Sequence, residues 1–229
     1  MSIKENLKII QDEVRETALK KNQDPKDITL VAVSKTFPVQ SIREVFEAGV
    51  VNIGESRVQE AEEKIRDLKD LPLVWHLVGH LQSNKAKKAV GEFAILQSMD
   101  KIPTLEKVDE IAARKGIVQE VLVEVNTTAE PNKFGISPQD LWSFLDQAIS
   151  LKQIRIKGLM TIGPFTDEKK KIKDCFLLLK DLFQEARSKY PEIPWRYLSM
   201  GMSDDYLVAV ECGSNMLRIG RKIFGERNY

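Results

Sequence analysis

This chain has few of the residues that mark secreted, membrane-spanning or disulfide-bonded proteins. It contains only two cysteines, Cys175 and Cys212, so a disulfide framework is not expected. No apolar stretch approaches the roughly 18 residues that a transmembrane helix needs, and no hydrophobic segment of the secretory type follows Met1. These absences predict a protein of a reducing, cytoplasmic compartment.

The chain also lacks an excess of charge of either sign. Its 35 lysines and arginines nearly cancel 34 aspartates and glutamates, which gives a formal net charge of +1 and no general attraction to nucleic acid or anionic membrane. Its two histidines, His76 and His80, are four residues apart, but Leu77 stands where a zinc-binding helix of this spacing has glutamate. We therefore expect no nucleic-acid, membrane or metal partner.

What the chain does have is a regular alternation of short apolar segments and helical stripes. Apolar residues spaced as on one face of a helix predict an N-terminal helix over residues 2–22. The predicted strands are residues 29–34, 51–53, 73–78, 93–97, 119–125, 155–160, 195–198 and 216–219. Eight strands separated by helices predict one domain over residues 1–229, a (β/α)8 barrel of the TIM type in the α/β class with an extra N-terminal helix. Because segments 51–53 and 195–198 are short, an open doubly wound sheet is the alternative.

Lys35 ends the first predicted strand. The carboxyl ends of barrel strands hold active-site residues, and a lysine in a dry pocket can attack a carbonyl to form a Schiff base. A solvated lysine without a role is the competing interpretation. The local sequence leaves both open.

Two later segments have the composition of a phosphate site. Leu198–Asp205 combines glycine and serines with an expected helix start at Ser203, and barrels often bind phosphate in the loops after strands seven and eight. Leu217–Arg221 is the last predicted strand and the residues that follow it. Gly220 and the following amide are expected to complete the phosphate site beside Ser199 and Ser203. Arg218 is expected to face the barrel lumen, where it needs a ligand nitrogen or a buried acid as acceptor. An ordinary capped turn and an internal salt bridge are the alternatives.

Taken together, these segments resemble the family of pyridoxal phosphate homeostasis proteins. The resemblance is collinear and covers nearly the whole chain. The matching segments are Val33–Thr36, Asn52–Glu55 with Val58–Glu60, Trp75–Lys85, Gly158–Met160, Ser199–Asp204, and Arg218–Gly220 with Ile223–Gly225.

The resemblance implies a barrel like the N-terminal domain of alanine racemase, with pyridoxal 5′-phosphate at the strand carboxyl ends. Lys35 matches the family lysine that forms the Schiff base. Asn52 matches a residue near the cofactor ring, and Arg218 matches the arginine directed to the pyridine nitrogen. The phosphate-binding region corresponds to Ser199, Gly201, Ser203 and Gly220, and Met160 and Arg221 complete the expected cofactor contacts.

The chain departs from the family pattern at several positions. Ser56 stands where an asparagine is common, and Phe37 where many members have a second lysine. Arg221 replaces the usual threonine or serine, which removes one hydroxyl, although its amide and guanidinium can both donate to phosphate. Lys133 is a candidate second lysine near the barrel mouth, next to Phe134 in place of the usual serine.

Two classes of function remain: a carrier that holds the cofactor and supplies it within the cell, and a pyridoxal-phosphate enzyme such as an amino-acid racemase. Alanine racemases complete their site with a tyrosine from a second, β-rich domain and a partner subunit, whereas this chain ends at Tyr229, close to its last predicted strand. We therefore expect a monomeric carrier without robust turnover, no catalytic residues, and apo-enzymes that use pyridoxal phosphate as transient partners.

Overall fold

The structure is a computed structural model that describes residues 1–128, 130 and 132–226, and its centre is a closed barrel of parallel strands. The strands are β1 (Thr29–Val33), β2 (Asn52–Glu55), β3 (Val74–Leu77), β4 (Ile95–Met99), β5 (Gln119–Glu124), β6 (Ile154–Met160), β7 (Tyr197–Ser199) and β8 (Met216–Ile219). The helices are α1 (Ile3–Lys20), α2 (Val39–Glu47), α3 (Val58–Asp67), α4 (Ala86–Ala89), α5 (Ile102–Lys115), α6 (Leu141–Ala148), α7 (Lys169–Lys189), α8 (Tyr206–Glu211) and α9 (Arg221–Phe224).

The strands follow one another around the barrel in chain order. The barrel closes where β8 pairs with β1, with Thr29 opposite Met216 and Ala32 opposite Ile219. The prediction of a (β/α)8 barrel is therefore confirmed, with strand bounds within two residues of those expected, and the open-sheet alternative is wrong.

Apolar residues fill both sides of the strands, as a parallel barrel requires. A small cluster of Val31, Ile95, Leu122, Met160 and Met216 occupies the lumen. A much larger cluster lies between the strands and the surrounding helices. The lumen is thus a packed core below the carboxyl ends of the strands, where a cavity opens.

The predicted N-terminal helix is present as α1. Ser2 and Glu5 form a reciprocal capping box at its start, and Leu7 and Ile10 lie on its buried face. This helix packs against α2, α8 and α9, and the Tyr206 hydroxyl donates a hydrogen bond to Glu13. It therefore braces the part of the chain that follows β7 and β8.

The segment after β7 differs from the sequence-based expectation. Helix α8 begins at Tyr206 with Asp205 at its N-cap, so Ser203 is not the cap. The Asp205 carboxylate instead accepts a hydrogen bond from the Met202 amide at 2.6 Å, which closes a turn before the helix. The expected end near Gly213 is confirmed by the C-cap at Cys212.

None of the helices in the described ranges combines the length and apolar character that crossing a bilayer demands.

Candidate functional site

The carboxyl ends of the strands enclose a cavity of about 370 Å³. Five residues predicted from the sequence meet there: Lys35, Ser203, Arg218, Gly220 and Arg221. They come from the segments after β1 and β7, from β8, and from the start of α9. Closure of the barrel brings these distant segments together.

The remaining residues of the cavity were not predicted individually as cofactor contacts. Val33, Val78, Met202 and Asp204 lie within segments singled out from the sequence, and Ser56 was recognised only as a departure from the family pattern. Val78 directly follows β3, Ser56 directly follows β2, and Ile162 lies two residues beyond β6. Position just after a strand is the signal that would have identified them. The other residues around the cavity are Val33, Met202, Asp204 and Glu226.

Lys35 lies half buried in the turn that leaves β1. The Phe37 amide donates to the Ser34 carbonyl at 3.0 Å, and Thr36 has a φ of 70° in the left-handed region. The Phe37 ring stacks on Phe224 of α9, with 4.8 Å between centroids. Position 37, where the family often has a second lysine, is thus used to pack this turn against α9.

Arg218 forms part of the cavity floor and is almost completely buried. Its Nη1 donates to Ser199 Oγ at 2.6 Å and its Nη2 to the Thr161 carbonyl at 2.7 Å. Burial lowers the pKa of Arg218 to about 10, although Glu124 and Asp205 act in the opposite direction. The protein acceptors of Arg218 are therefore a hydroxyl and a carbonyl oxygen, and neither is a buried acid.

A chain of hydrogen bonds continues from Arg218 down through the lumen. Ser199 Oγ donates to Gln97 Oε1 at 2.8 Å, and Gln97 Nε2 lies 3.1 Å from His76 Nδ1. His76 Nε2 lies 3.1 Å from Asn52 Oδ1. Because burial lowers the pKa of His76 to about 4, the ring is neutral, and its partners assign the proton to Nε2.

Four of the predicted cofactor contacts do not line the cavity. Asn52 and Ser199 belong to the lumen chain, and Asn52 starts β2 at the end opposite to Lys35. Met160 packs in the apolar lumen cluster. Gly201 is buried against Ala209. Sequence position could not separate the mouth from the layer beneath it, because both layers use the same strands.

The wall formed by the β7–α8 and β8–α9 connections contains hydroxyl and guanidinium groups. Ser203 Oγ accepts a hydrogen bond from the Lys222 amide at 3.2 Å. Arg221 Nη2 lies 2.5 and 2.7 Å from the two carboxylate oxygens of Asp204, and this contact raises the pKa of Arg221. Arg221 thus supplies a cation where the family usually has a hydroxyl.

His80 and Lys133 lie outside the cavity. His80 stacks on Phe134 with 4.2 Å between ring centroids, and its Nδ1 is 3.7 Å from Asp100 Oδ1. Lys133 Nζ donates to Glu130 at 2.8 Å and to the Gly163 carbonyl at 3.0 Å. The candidate second lysine is therefore held by neighbouring acceptors and is not among the cavity residues.

The chain is similar over its whole length to known proteins. The family model of the alanine racemase N-terminal domain matches residues 3–228. The pyridoxal phosphate homeostasis protein of Aquifex aeolicus is 35% identical over 100% of both chains. That of Pasteurella multocida is 35% identical over 100% of this chain and 99% of its own.

Solved structures show the same relationship. PipY of Synechococcus elongatus, solved with pyridoxal phosphate bound, is 36% identical and covers 98% of this chain and 100% of its own, with a TM-score of 0.85. An alanine racemase of Clostridium difficile has a TM-score of 0.73 over 98% of this chain and 58% of its own, but at 16% identity it shows the fold alone. The chain therefore belongs to the alanine racemase N-terminal domain family, within its group of pyridoxal phosphate homeostasis proteins.

Proposed function

We propose that this protein holds pyridoxal 5′-phosphate as a Schiff base on Lys35 and takes part in intracellular supply of that cofactor, without robust catalytic turnover. One observation carries the proposal. The cavity of about 370 Å³ combines the Lys35 amine with a wall of hydroxyl and guanidinium groups.

The residues of the cavity fit this cofactor. Lys35 is the amine that an aldehyde requires, and the apolar side chains of Val33, Val78 and Ile162 suit the flat ring. Ser203 and the Gly220–Arg221 segment offer donors suited to a phosphate. When bound, the cofactor supplies the reactive aldehyde and an electron-poor ring, while the protein orients it. The bound cofactor of PipY supports the same assignment.

The carrier interpretation is supported by what surrounds Lys35. Racemisation needs an acid/base group on each side of the reacting carbon. Among the described residues of the cavity there is no tyrosine, histidine or cysteine. Asp204 and Glu226 are mostly exposed at the rim, and Asp204 contacts Arg221. The relatives are named homeostasis proteins, which agrees with holding and releasing the cofactor to apo-enzymes.

The covalent assignment is tested by absorbance spectroscopy. Protein incubated with pyridoxal phosphate should become yellow, and borohydride reduction followed by peptide mapping should locate the cofactor on Lys35. Lys35→Ala should lose the colour, whereas Lys133→Ala, which removes a lysine outside the cavity, should retain it. Colour that survives in Lys35→Ala would remove this lysine from its proposed role.

The carrier assignment is tested by steady-state assays of the loaded protein with a panel of L- and D-amino acids. We expect negligible turnover. A kcat of roughly 1 per second or more, within the ordinary enzyme range, would favour the racemase alternative instead. Sedimentation at several protein concentrations tests the monomer that we propose with it.

A further inference from the structure

Both neighbours of Lys35 in the chain are hydrogen-bonded to charged side chains of the second βα unit. The Ser34 hydroxyl donates to Glu55 Oε1 at 2.6 Å, and the Ser34 carbonyl accepts from Lys64 Nζ at 2.8 Å. On the other side of Lys35, the Thr36 amide donates to Glu60 Oε1 at 2.6 Å. Hydrogen bonds therefore fix the residues on both sides of Lys35.

Glu55, Glu60 and Lys64 form one charged cluster. Lys64 Nζ lies 2.7 Å from Glu55 Oε1 and 2.7 Å from Glu60 Oε1. The Glu55 side chain is fully buried, and those of Lys64 and Glu60 are 9% and 28% exposed. Glu55 comes from β2 and the other two from α3, so the cluster joins the second βα unit to the turn that follows β1.

Stability alone does not explain the charged cluster. Lys64 lies on the buried face of α3 with Val58 and Ala61, where an apolar residue would cost less to bury. Glu55 Oε2 is buried and, within the described residues, has no hydrogen-bond partner. A core selected only for packing would not keep these groups, since buried charges and unpaired oxygens are costly.

The geometry of the turn shows what the charged cluster does for Lys35. Val33 and Lys35 line the cavity, whereas the Ser34 hydroxyl and the Thr36 amide are hydrogen-bonded to the charged cluster. Thr36 has a φ of 70°, which a β-branched residue rarely adopts. The bond from its amide to Glu60 holds the chain in this conformation. The turn therefore sets the point from which the Lys35 side chain enters the cavity.

We propose that the charged cluster positions Lys35 for covalent capture of pyridoxal phosphate. This inference rests on the proposed function. The three residues are not among those that line the cavity, so they are positioning residues that act through the backbone of Ser34 and Thr36. Burial opposes ionisation of Glu60, but the hydrogen bonds from Lys64 and Thr36 lower its pKa, which keeps this acceptor charged at neutral pH.

The experiment compares Glu60→Ala, Glu60→Gln and a control, Glu62→Ala. Glu62 lies on the same helix and also contacts a lysine, Lys88, at 2.7 Å, but it does not touch the turn. Each variant is titrated with pyridoxal phosphate, and the absorbance of the adduct is followed against pH. Glu60→Ala removes the acceptor of both the Thr36 amide and Lys64 Nζ. It should weaken binding by about tenfold and should shift the midpoint pH of the adduct.

Glu60→Gln keeps an oxygen acceptor for the Thr36 amide, so it should restore part of the affinity that Glu60→Ala loses. Glu62→Ala should match the wild-type protein in affinity and midpoint. Thermal unfolding of every variant, followed by circular dichroism, establishes that the chain is folded. Lys64→Met is the second variant. It leaves Glu55 buried without its cation, which can prevent folding. If Lys64→Met does not fold, Glu60→Ala decides the test.

The possible failures are distinguishable. Wild-type protein that gives no adduct on Lys35 would overturn the proposed function itself. If the wild-type protein forms this adduct, but Glu60→Ala has the affinity and midpoint pH of Glu62→Ala, the charged cluster has no positioning role. A lower melting temperature of Glu60→Ala with unchanged affinity and midpoint would lead to the same conclusion.

Discussion

At the scale of single residues, the most informative group is the Ser199 hydroxyl. It accepts a hydrogen bond from Arg218 and donates one to Gln97, and it is completely buried. Every bond in this lumen chain runs in one donor-to-acceptor direction away from Arg218. A buried guanidinium keeps its charge at neutral pH, so fixed hydrogen-bond acceptors are needed to hold it at the cavity floor.

Removing this hydroxyl should therefore cost more than removing an ordinary one. Ser199→Ala leaves both Arg218 Nη1 and Gln97 Oε1 without their buried partner, so we expect a loss of about 2–3 kcal/mol in the free energy of unfolding. Ser98→Ala is the matched control, because Ser98 is equally buried but makes one bond, to the Gly79 carbonyl at 2.6 Å. It should lose roughly 1 kcal/mol. Equal losses in urea denaturation would contradict the importance of the lumen chain.

At the scale of elements, the connection from β7 to α8 determines the shape of the cavity wall that contains the hydroxyl and guanidinium groups. Gly201 has a φ of 98° and its carbonyl accepts a hydrogen bond from the Arg218 amide at 3.0 Å. A Cβ at this position would lie 2.6 Å from the Ala209 Cβ of α8. The loop and α8 can approach each other only because this residue is glycine.

Gly201→Ala and Gly213→Ala separate backbone strain from crowding. Gly213 has nearly the same φ, 95°, but a Cβ there would meet nothing closer than the flexible Lys180 side chain at 3.7 Å. Gly213→Ala should lose about 1–2 kcal/mol of unfolding free energy from the left-handed conformation alone. Gly201→Ala should lose about 1–3 kcal/mol more, because α8 must move. Equal unfolding free energies for the two variants would show that α8 is free to shift.

At the scale of the whole molecule, two of the titratable groups buried in the barrel have opposing effects on stability. Burial, helped by Asp100, raises the pKa of Glu124 from 4.5 to about 7. Burial lowers the pKa of His76 from 6.5 to about 4. Stability linked to Glu124 is thus present below pH 4.5 and lost as the pH rises through 7. Stability linked to His76 is present above pH 6.5 and lost as the pH falls through 4.

Between about pH 4.5 and 6.5 the two pKa windows overlap, so the changes in stability with pH that the two groups cause should cancel. Relative to the wild-type protein, Glu124→Gln should gain stability with rising pH over this range, and His76→Gln should lose it. Each difference should approach about 3 kcal/mol across its full window, since one pKa unit corresponds to about 1.4 kcal/mol. Urea denaturation at a series of pH values measures both. Parallel pH profiles for the two variants would contradict this account.

The amino-acid sequence by itself determined the order and type of the elements, because apolar spacing along the chain is a local property. It also identified Lys35, Ser203, Arg218, Gly220 and Arg221, all of which the structure brings to one cavity. Local sequence could not show that Asn52 and Ser199 lie in the lumen, because depth in a barrel depends on how eight strands are staggered against one another. Nor could it show why Lys64 is buried. Only the tertiary structure joins α3 to the turn after β1, and with it the charged cluster to Lys35.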